Sequence, residues 1–288
     1  MFNHIGLIAS NRPSPGIAQT LEQVRDLLNQ RNISISYSKS CEKLIPELTG
    51  KTAAGEDFCE TCDLVIVIGG DGTMLSVAHA MCHKNIPLLG INRGHLGFLA
   101  DIPADEVTPQ LEKILDGNFM EEKRFMPSGE VVRDGKVIAT GNAFNDVVIQ
   151  KGNIARLVQF DTCINDNFLL TQRSDGMIIS TPTGSTAYAL SGGGPILYPT
   201  LDALVLVPIC PHTLSSRPIV AAGNRRSEIA VGDRDIDKAQ LTCDGETLGK
   251  LVSGDRIIVR KKETLVRLIH PADHDHFGIL RAKLNWGR

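Results

Sequence analysis

The stretch Asp63-Leu-Val-Ile-Val-Ile68, followed at once by Gly69-Gly-Asp-Gly-Thr73, decides the fold of this 288-residue chain. Its apolar, largely β-branched residues run without a polar break, which predicts a strand buried on both faces of a parallel sheet. The glycines permit a positive φ and let backbone N–H groups approach an anion, and residues 73–81 have the composition of a helix that begins at this turn. The local geometry therefore suits a phosphate group.

Asp71 is an unusual residue to find among phosphates. A carboxylate is useful there if it binds a metal or accepts a proton, so the combination indicates phosphoryl transfer rather than nucleotide binding alone. The sequence leaves three roles open for Asp71: a general base, a Mg²⁺ ligand, or a residue that only organises its own turn through local N–H bonds.

Two further motifs follow along the chain. Asn145-Asp146 stands at the head of a strand predicted at 147–149, and the hydroxyl-rich segment from Ser174 to Ser191 runs into Gly192-Gly-Gly-Pro195. In this order and at these separations, Gly-Gly-Asp-Gly-Thr, Asn-Asp and Thr-Pro-Thr-Gly-Ser-Thr-Ala-Tyr resemble the bacterial type of the ATP-dependent NAD kinase family, and the resemblance covers essentially the whole chain. The first motif alone is shared with phosphofructokinases and diacylglycerol-type lipid kinases.

The resemblance implies phosphorylation of the adenosine-ribose 2′-hydroxyl of NAD⁺ by ATP and a divalent metal, expected to be Mg²⁺, to give NADP⁺ and ADP. Because that hydroxyl is a poor nucleophile at neutral pH, a carboxylate within hydrogen-bond reach is needed to accept its proton, and Asp71 is the candidate. Two alternatives remain, a non-catalytic dinucleotide sensor and a diacylglycerol-type lipid kinase. The sequence identifies no set of metal ligands.

The resemblance also implies how the dinucleotide is held. Asn145 and Asp146 would bind the ribose hydroxyls, Asp175 the nicotinamide side, and Phe98 the adenine. The other residues expected at the nucleotide site are Gly72, Thr183, Thr186, Ala187, Tyr188, Ala189, Leu190 and Ser191. Structural alternatives exist for several of them: Asn145-Asp146 as a simple turn, Phe98 and Tyr188 as packing residues, and Thr183 as a helix cap.

Phosphate binding is expected from Gly69, Gly70, Thr73 and Arg93. Arg173 and Arg156 are further candidate cations near the ligand. Arg156 and Glu246 depart from the residues that the family pattern favours at the matching places, a histidine and a neutral amide or imidazole respectively. A carboxylate at Glu246 is expected to alter hydrogen bonding to the dinucleotide.

The pattern of predicted strands and helices changes at about residues 120–127. Before this point strands alternate with helical patterns, which predicts an α/β domain with a Rossmann-like parallel sheet and helices on both faces. After it, short strands and the turns Arg133-Asp-Gly-Lys136 and Ile164-Asn-Asp-Asn167 predict an all-β sandwich. We expect an α/β nucleotide-binding domain at 1–124, to which 275–288 returns by resemblance, and a β-sandwich NAD-binding and oligomerisation domain at 125–274.

Composition excludes several classes of function. A formal net charge of -3 and a pI near 6.2 provide no general attraction to nucleic acid. The first residues have neither the basic region nor the apolar core of a signal peptide, and no stretch approaches the length of a membrane span, so a cytoplasmic location without membrane contact is expected. The resemblance implies a homodimer or homotetramer formed through the β domain.

Two clusters contain residue types found in redox or metal sites, one of cysteines and one of histidines. Cys59-Glu-Thr-Cys62 has the spacing of a redox pair but precedes a strand instead of following one, so a structural role is favoured over a redox switch. His270, His274 and His276 resemble a metal cluster by eye but show no fixed ligand spacing, and they are expected to be surface turn residues rather than a metal site.

Overall fold

The computed structural model describes residues 2–11, 16–50, 52–53, 55, 57–94, 96–152, 157–232 and 239–287. The chain forms two compact units, residues 1–123 with 266–288 and residues 124–265. Among the described residues, no helix is both long enough and apolar enough to cross a membrane.

The first unit is built from alternating strands and helices. They are β1 (His4–Ala9), α1 (Ile17–Gln30), β2 (Ser34–Ser38), β3 (Thr52–Ala53), β4 (Leu64–Ile68), α2 (Asp71–Met81), β5 (Leu88–Asn92), β6 (Ile102–Pro103) and α3 (Val107–Leu115). Strands β3, β2, β1, β4 and β5 are neighbours in that order, and all their pairings are parallel. The carboxyl ends of these strands therefore meet at one edge of the sheet.

Helices cover both faces of this sheet. Leu64, Ile66 and Ile68 of β4 belong to one hydrophobic cluster together with the buried residues of α1 and α3. Helix α2 also contacts β4 and β5, yet none of its buried residues belongs to that cluster. Because successive strand residues point to opposite faces, α2 covers the face formed by Val65 and Val67.

The second unit consists almost entirely of strands. The chain enters it through β7 (Phe119–Arg133) and continues as β8 (Lys136–Asn142), β9 (Asp146–Gln150), β10 (Val158–Ile164), β11 (Asn167–Ser174), β12 (Gly176–Ser180), the short helix α4 (Tyr188–Ser191), β13 (Ala203–Ile209), β14 (Ile219–Ala222), β15 (Ser227–Val231), β16 (Gln240–Cys243), β17 (Glu246–Lys250) and β18 (Arg256–Pro271). One antiparallel sheet has the order β14-β13-β12-β9-β16-β17. In a second group, β11, β10, β15 and β18 pair antiparallel.

A single hydrophobic cluster lies between these two groups of strands. It contains Val147 and Ile149 of β9 and Ile179 of β12 from one sheet, and Phe160 of β10 and Ile257 of β18 from the other. Alternate residues of each strand enter this cluster, as in a sandwich of two sheets. The α/β unit and the β-sandwich thus have the architecture that the sequence predicts.

Strand β18 begins in the second unit, and its last residues lie in the first. Leu268 and Ile269 pair in parallel with Leu88 and Leu89 of β5, and α5 (His276–Leu284) follows. Because of this pairing, residues 266–274 belong with the first unit, whereas the sequence-based boundary assigned them to the β domain.

The two cysteines of the Cys-Glu-Thr-Cys segment are buried and form no disulfide. The Cys59 thiol lies 3.2 Å from Met81 Sδ, and Cys62 Sγ lies 3.9 Å from the Phe58 carbonyl oxygen. Burial, with a smaller effect of Cys59, raises the pKa of the Cys62 thiol to about 12. This environment disfavours the thiolate that redox exchange requires.

Candidate active site

The glycine-rich turn between β4 and α2 leaves its backbone open. A Cβ atom at Gly69 would lie 2.6 Å from Thr73 Oγ1, whereas one at Gly70 or Gly72 would meet nothing within 4 Å. None of these glycines has a positive φ, contrary to the expectation from sequence. At Gly69 a glycine is needed for close packing, and at Gly70 and Gly72 its absent side chain leaves space for a ligand.

A cavity of about 710 Å³ lies beside this turn. Its walls come from the carboxyl ends of β1, β2 and β4, where the parallel sheet was expected to bind ligands. Among the lining residues are Ala9, Ser38, Lys39, Lys43, Gly70, Gly72 and Thr73. Two ammonium groups and an open glycine turn give this cavity the character of a phosphate site.

Arg93, the cation predicted for phosphate binding, lies beside Gly16 at the start of α1. A Cβ atom built at Gly16 would be 1.4 Å from Arg93 Nη2, so the guanidinium fills the space that a side chain there would need. Gly16 has φ +81° and is the N-cap of α1. Arg93 is not among the residues that line the cavity.

The carboxylate of Asp71 is held by three backbone N–H groups of a distant loop. Phe98 N donates to Oδ2 at 2.9 Å, while Leu99 N and Ala100 N donate to Oδ1 at 2.9 and 3.2 Å. Asp71 therefore organises a loop 27–29 residues away, and not only its own turn. A carboxylate has about four acceptor sites, so one site is left for a further hydrogen bond.

Phe98, predicted to lie against adenine, stands in this same loop and is half-buried. The ammonium group of Lys283 in α5 lies 5.5 Å from the centre of its ring. A cation over an aromatic face is attracted by the ring quadrupole, so the loop that holds Asp71 also contacts the C-terminal helix.

In the second unit, the carboxylate of Asp244 binds backbone N–H groups of a distant segment, as that of Asp71 does in the first. Its carboxylate accepts hydrogen bonds from the backbone N–H groups of Phe144, Asn145 and Asp146 at 2.6, 2.8 and 2.9 Å. Asp244 and Gly245 form the tight turn between β16 and β17, with φ of 47° and 84°. The Asn-Asp motif is thus fixed by a turn about 100 residues later in the chain.

The hydroxyl-rich motif forms hydrogen bonds with Asn145 of the Asn-Asp motif. Thr181 N and Ser180 Oγ both donate to the Asn145 carbonyl oxygen, at 2.8 and 3.2 Å. A Cβ atom at Gly184 would lie 2.2 Å from that oxygen. Thr183 is the N-cap residue of a short 3₁₀ helix at Gly184–Thr186, but its side chain makes no capping hydrogen bond; its hydroxyl accepts a hydrogen bond from Arg124 Nη1 at 3.0 Å. Asn145 and the turn at 181–184 therefore form one compact feature.

The remaining predicted residues of the second unit differ in exposure. Ala189 is buried in a hydrophobic cluster with Ile178 and Val207, so its methyl group packs in the core. Asp175 is partly exposed and forms an ion pair with Lys151 at 2.6 Å. Those that are exposed or half-buried are Arg173, Thr186, Ala187, Tyr188, Leu190, Ser191 and Glu246. Arg156 lies outside the described residues.

Comparison with known proteins now assigns the chain to a family. The model of the ATP-NAD kinase N-terminal domain matches residues 5–119, and that of the ATP-NAD kinase C-terminal domain matches residues 144–271. A protein called NAD kinase from Pseudomonas fluorescens (strain SBW25) is 43% identical over 286 residues, covering 99% of this chain and 96% of that protein. The chain belongs to the NAD kinase family.

Solved structures agree on the fold. The crystal structure of yeast NADH kinase complexed with NADH has a TM-score of 0.85 at 21% identity, covering 99% of this chain and 88% of the yeast chain. An NAD kinase from Archaeoglobus fulgidus in complex with ATP has a TM-score of 0.73 at 21% identity, covering 97% and 99%. The resemblance drawn from the motifs is confirmed, and the lipid kinase and sensor alternatives receive no support.

Asp146, the buried residue of the Asn-Asp motif, has a carboxyl group with a raised pKa. Burial, and secondly the negative charge of Asp244, raise the pKa of its carboxyl group from 3.8 to about 7. Near neutral pH the group is therefore present in both its protonated and its ionised form, and it can donate as well as accept a hydrogen bond.

The C-terminal histidines were predicted to be surface turn residues, and the structure shows that this is wrong. His270 and His276 are buried, and the side chain of His274 is 7% exposed. His270 lies at the end of β18, which pairs within the sheet, so the segment is packed instead of projecting into solvent. Burial lowers the pKa of His270, but hydrogen bonds with Asp101 and Glu122 outweigh it and raise the pKa to about 8.

Sequence reasoning missed three residues that lie close to the motifs. Lys39 and Lys43 follow β2 in a segment without a motif, so no local signal marked them as neighbours of the glycine turn. Asp244 stands beside Glu246 in an Asp-Gly turn that is visible in the sequence. Its bonds to residues 144–146 depend on the pairing of β16 with β9, which the sequence does not show.

Gly97→Ala should impair phosphoryl transfer without removing a reactive group. A Cβ atom at Gly97 would lie 2.1 Å from Asp71 Oδ1 and 2.9 Å from the Ala100 carbonyl oxygen, so the carboxylate must move. Because misplacement by about 1 Å can cost roughly 100-fold in rate, we expect kcat to fall about 10- to 100-fold. Gly94→Ala is the control, since its nearest neighbour would be 3.8 Å away. Equal kcat values in the two variants would contradict the prediction.

Asp146→Asn should change how stability depends on pH. The folded protein retains the Asp146 proton up to about pH 7, whereas the unfolded chain loses it near 3.8, so this group reduces stability as pH rises through that window. The uncharged Asp146→Asn variant should therefore gain on the order of 2 kcal/mol relative to the parent between pH 5 and pH 8 in urea unfolding. Glu263→Gln, at an exposed carboxylate of the same unit, is the control. A gain that does not change with pH would refute the assignment.

Proposed function

We propose that this chain transfers the terminal phosphoryl group of ATP to the adenosine-ribose 2′-hydroxyl of NAD⁺ and so supplies NADP⁺. The observation that carries the proposal is the fixed carboxylate of Asp71 beside an open glycine turn. The family to which the chain belongs, and the ATP and NADH bound by its structural neighbours, support this assignment of donor and acceptor.

Asp71 is proposed as the general base. Three N–H bonds hold its carboxylate in place, and the remaining acceptor site receives the proton of the 2′-hydroxyl as the oxygen attacks the phosphorus. Because the carboxylate of Asp71 is already fixed, no entropy is lost in ordering it during the reaction. This preorganisation increases the rate. ADP then leaves with the bond between the β- and γ-phosphates broken.

The donor phosphates are proposed to lie in the cavity beside the glycine turn. Gly70 and Gly72 present backbone without side chains, and Lys39 and Lys43 supply positive charge. Phosphoryl transfer depends on positioning and on neutralising the charge of the equatorial oxygens, and these groups fulfil both requirements. Thr73 also lines this cavity, and its side chain packs closely against Gly69.

A divalent metal, expected to be Mg²⁺, is proposed to accompany ATP. Mg²⁺ is commonly bound through substrate phosphates and water together with one or two carboxylates, so the phosphates of ATP are proposed to supply much of its coordination. When bound, the ion neutralises phosphate charge. The remaining acceptor site of Asp71 is assigned to the 2′-hydroxyl proton, and no protein ligand of the ion is proposed.

The acceptor dinucleotide is proposed to bind mainly through the second unit. Asn145 and Asp146 are rigidly held by Asp244 and present the ribose site, and the exposed ring of Tyr188 lies on the same hydroxyl-rich motif. Asp175, paired with Lys151, remains the proposed contact on the nicotinamide side. In this division of labour the first unit binds donor phosphates and the second binds NAD⁺.

We also propose a homodimer or homotetramer in the cytoplasm, assembled through the β unit. Support for self-association comes from four exposed apolar side chains on its hairpins, Val137, Ile138, Phe168 and Leu169. Exposed apolar surface of this kind is typical of contacts between subunits.

Asp71→Asn tests the base. We expect kcat for NADP⁺ formation from NAD⁺, ATP and Mg²⁺ to fall at least about 100-fold with the Kd for NAD⁺ preserved, since general bases contribute roughly 10² to 10⁴. Asp105→Asn, at an exposed carboxylate of the same unit, should leave kcat unchanged.

Hydrogen exchange of the amides of residues 98–100 separates the two roles of Asp71. Protection that persists in the Asp71→Asn variant while kcat is lost identifies a chemical role, because the loop is then still in place. If the variant loses both the protection of these amides and its affinity for NAD⁺, Asp71 is an anchor of the loop. That result would contradict its assignment as the base.

Lys39→Gln and Lys43→Gln test the proposed phosphate site. Each should raise the KM for ATP about 3- to 30-fold, as expected for removal of one charge-assisted contact worth about 1–2 kcal/mol, and should change the Kd for NAD⁺ much less. Lys113→Gln on α3 is the matched control, because Lys113 is exposed and does not line the cavity. An unchanged KM for ATP in the double variant would place the phosphates elsewhere.

A further inference from the structure

A compact set of nitrogen and oxygen atoms lies at the C-terminal end of the first unit. Asp101 Oδ2 is 3.0 Å from His270 Nδ1 and 2.6 Å from His274 Nδ1, and one such atom from each residue lies within 4.8 Å of the other two. The side chains of Asp101, His270 and His274 are 5%, 1% and 7% exposed. Two imidazoles and a carboxylate thus converge on one point away from solvent.

The second oxygen of Asp101 favours a cation at this cluster. Asp101 Oδ1 is buried and has no hydrogen-bond partner within the part of the chain that the structure describes. Burial of a charged oxygen without a partner is costly, and it is uncommon in folded proteins. A cation at this carboxylate would interact with both of its oxygens.

The surroundings of His270 are those of a metal-binding imidazole. Its Nδ1 faces Asp101, and its other ring nitrogen, Nε2, lies 3.3 Å from Glu122 Oε2. Imidazoles that bind metals usually donate their second N–H to a carboxylate, which fixes the tautomer and the ring orientation. Two carboxylates within reach of one buried histidine also favour a positive charge between them.

We propose that Asp101, His270 and His274 bind a divalent transition metal ion of the zinc type. Two imidazole nitrogens and one carboxylate oxygen suit Zn²⁺, Co²⁺ or Ni²⁺, whereas Mg²⁺ prefers oxygen ligands alone. The fourth position of a tetrahedral site is left to a water molecule. This site is separate from the metal that accompanies ATP.

The proposed metal would connect the C-terminal segment to the loop that holds Asp71. Asp101 comes directly after Phe98, Leu99 and Ala100, whose N–H groups bind the Asp71 carboxylate. His270 is the second-last residue of β18, and His274 precedes α5. Metal binding would therefore restrain the loop from its far end, which makes Asp101 a positioning residue with respect to Asp71.

Metal titration of the full chain tests the proposal directly. Protein treated with a chelator and then dialysed should bind one equivalent of Zn²⁺ in calorimetry, and its unfolding temperature should rise with the Zn²⁺ concentration. Co²⁺ should give the visible d–d absorption of a four-coordinate site with nitrogen and oxygen ligands. Because the chain has 7 cysteines, sulfur-to-cobalt charge transfer in the near ultraviolet would assign the ion to thiolates and overturn the proposal.

His274→Gln distinguishes a metal site from a cluster held by hydrogen bonds alone. Glutamine keeps an N–H donor for Asp101, so a hydrogen-bonded cluster would survive, but metal affinity should fall at least about 100-fold. His83→Gln, at an exposed histidine of the same unit, should bind Zn²⁺ as the parent does. Metal affinity equal to that of the parent in the His274→Gln variant would refute the site.

Two further results decide the matter if the His274→Gln variant does not fold. The Co²⁺ spectrum of the parent protein reports the ligands without any substitution. A parent protein that binds neither Zn²⁺ nor Co²⁺, and whose unfolding temperature is unaffected by them, would show that the cluster holds only protons and would reject the proposal. Neither readout depends on kinase activity.

Discussion

The three hydrogen bonds between the Asp71 carboxylate and the N–H groups of residues 98–100 are the interactions on which the candidate site in the first unit depends. They join the start of α2, at the end of β4, to the loop that follows β5. Hydrogen bonds to an ionised acceptor are stronger than those between neutral groups, and three of them fix both oxygens. The position of the candidate base is therefore set by backbone donors, whose placement does not depend on a side-chain rotamer.

The second unit uses the same arrangement with a different outcome. Asp244 also precedes a glycine and also binds three consecutive backbone N–H groups of a distant segment. The difference lies in the neighbourhood, because Asp244 places its charge beside a second carboxylate, that of Asp146, and thereby contributes to its raised pKa. Asp71 is the proposed base, whereas Asp244 helps the neighbouring carboxyl group of Asp146 to retain its proton.

Features that depend on local sequence were predictable. The turns at Asp134-Gly135 and Asn165-Asp166 follow from residues that tolerate positive φ, and the structure has both. Features that depend on contacts between distant segments were not. His270 is buried because β18 pairs with β5. Lys39 lines the same cavity as the glycine turn because β2 pairs with β1, which in turn pairs with β4; neither position carries a local signal.

The hydroxyl-rich motif shows why a specific sequence need not consist of ligand contacts. Thr181 Oγ1 donates to the Phe144 carbonyl oxygen and accepts from Gly184 N, and Ser185 Oγ accepts from Leu197 N. These hydroxyls are buried and already used within the protein, so they serve to shape the turn at Asn145. Substituting them would leave buried backbone groups without partners, a penalty that falls on folding before it falls on binding. Two requirements therefore act on the sequence of this motif. Its buried hydroxyls must form the turn, and its exposed residues Tyr188 and Ser191 must follow that turn in the right place.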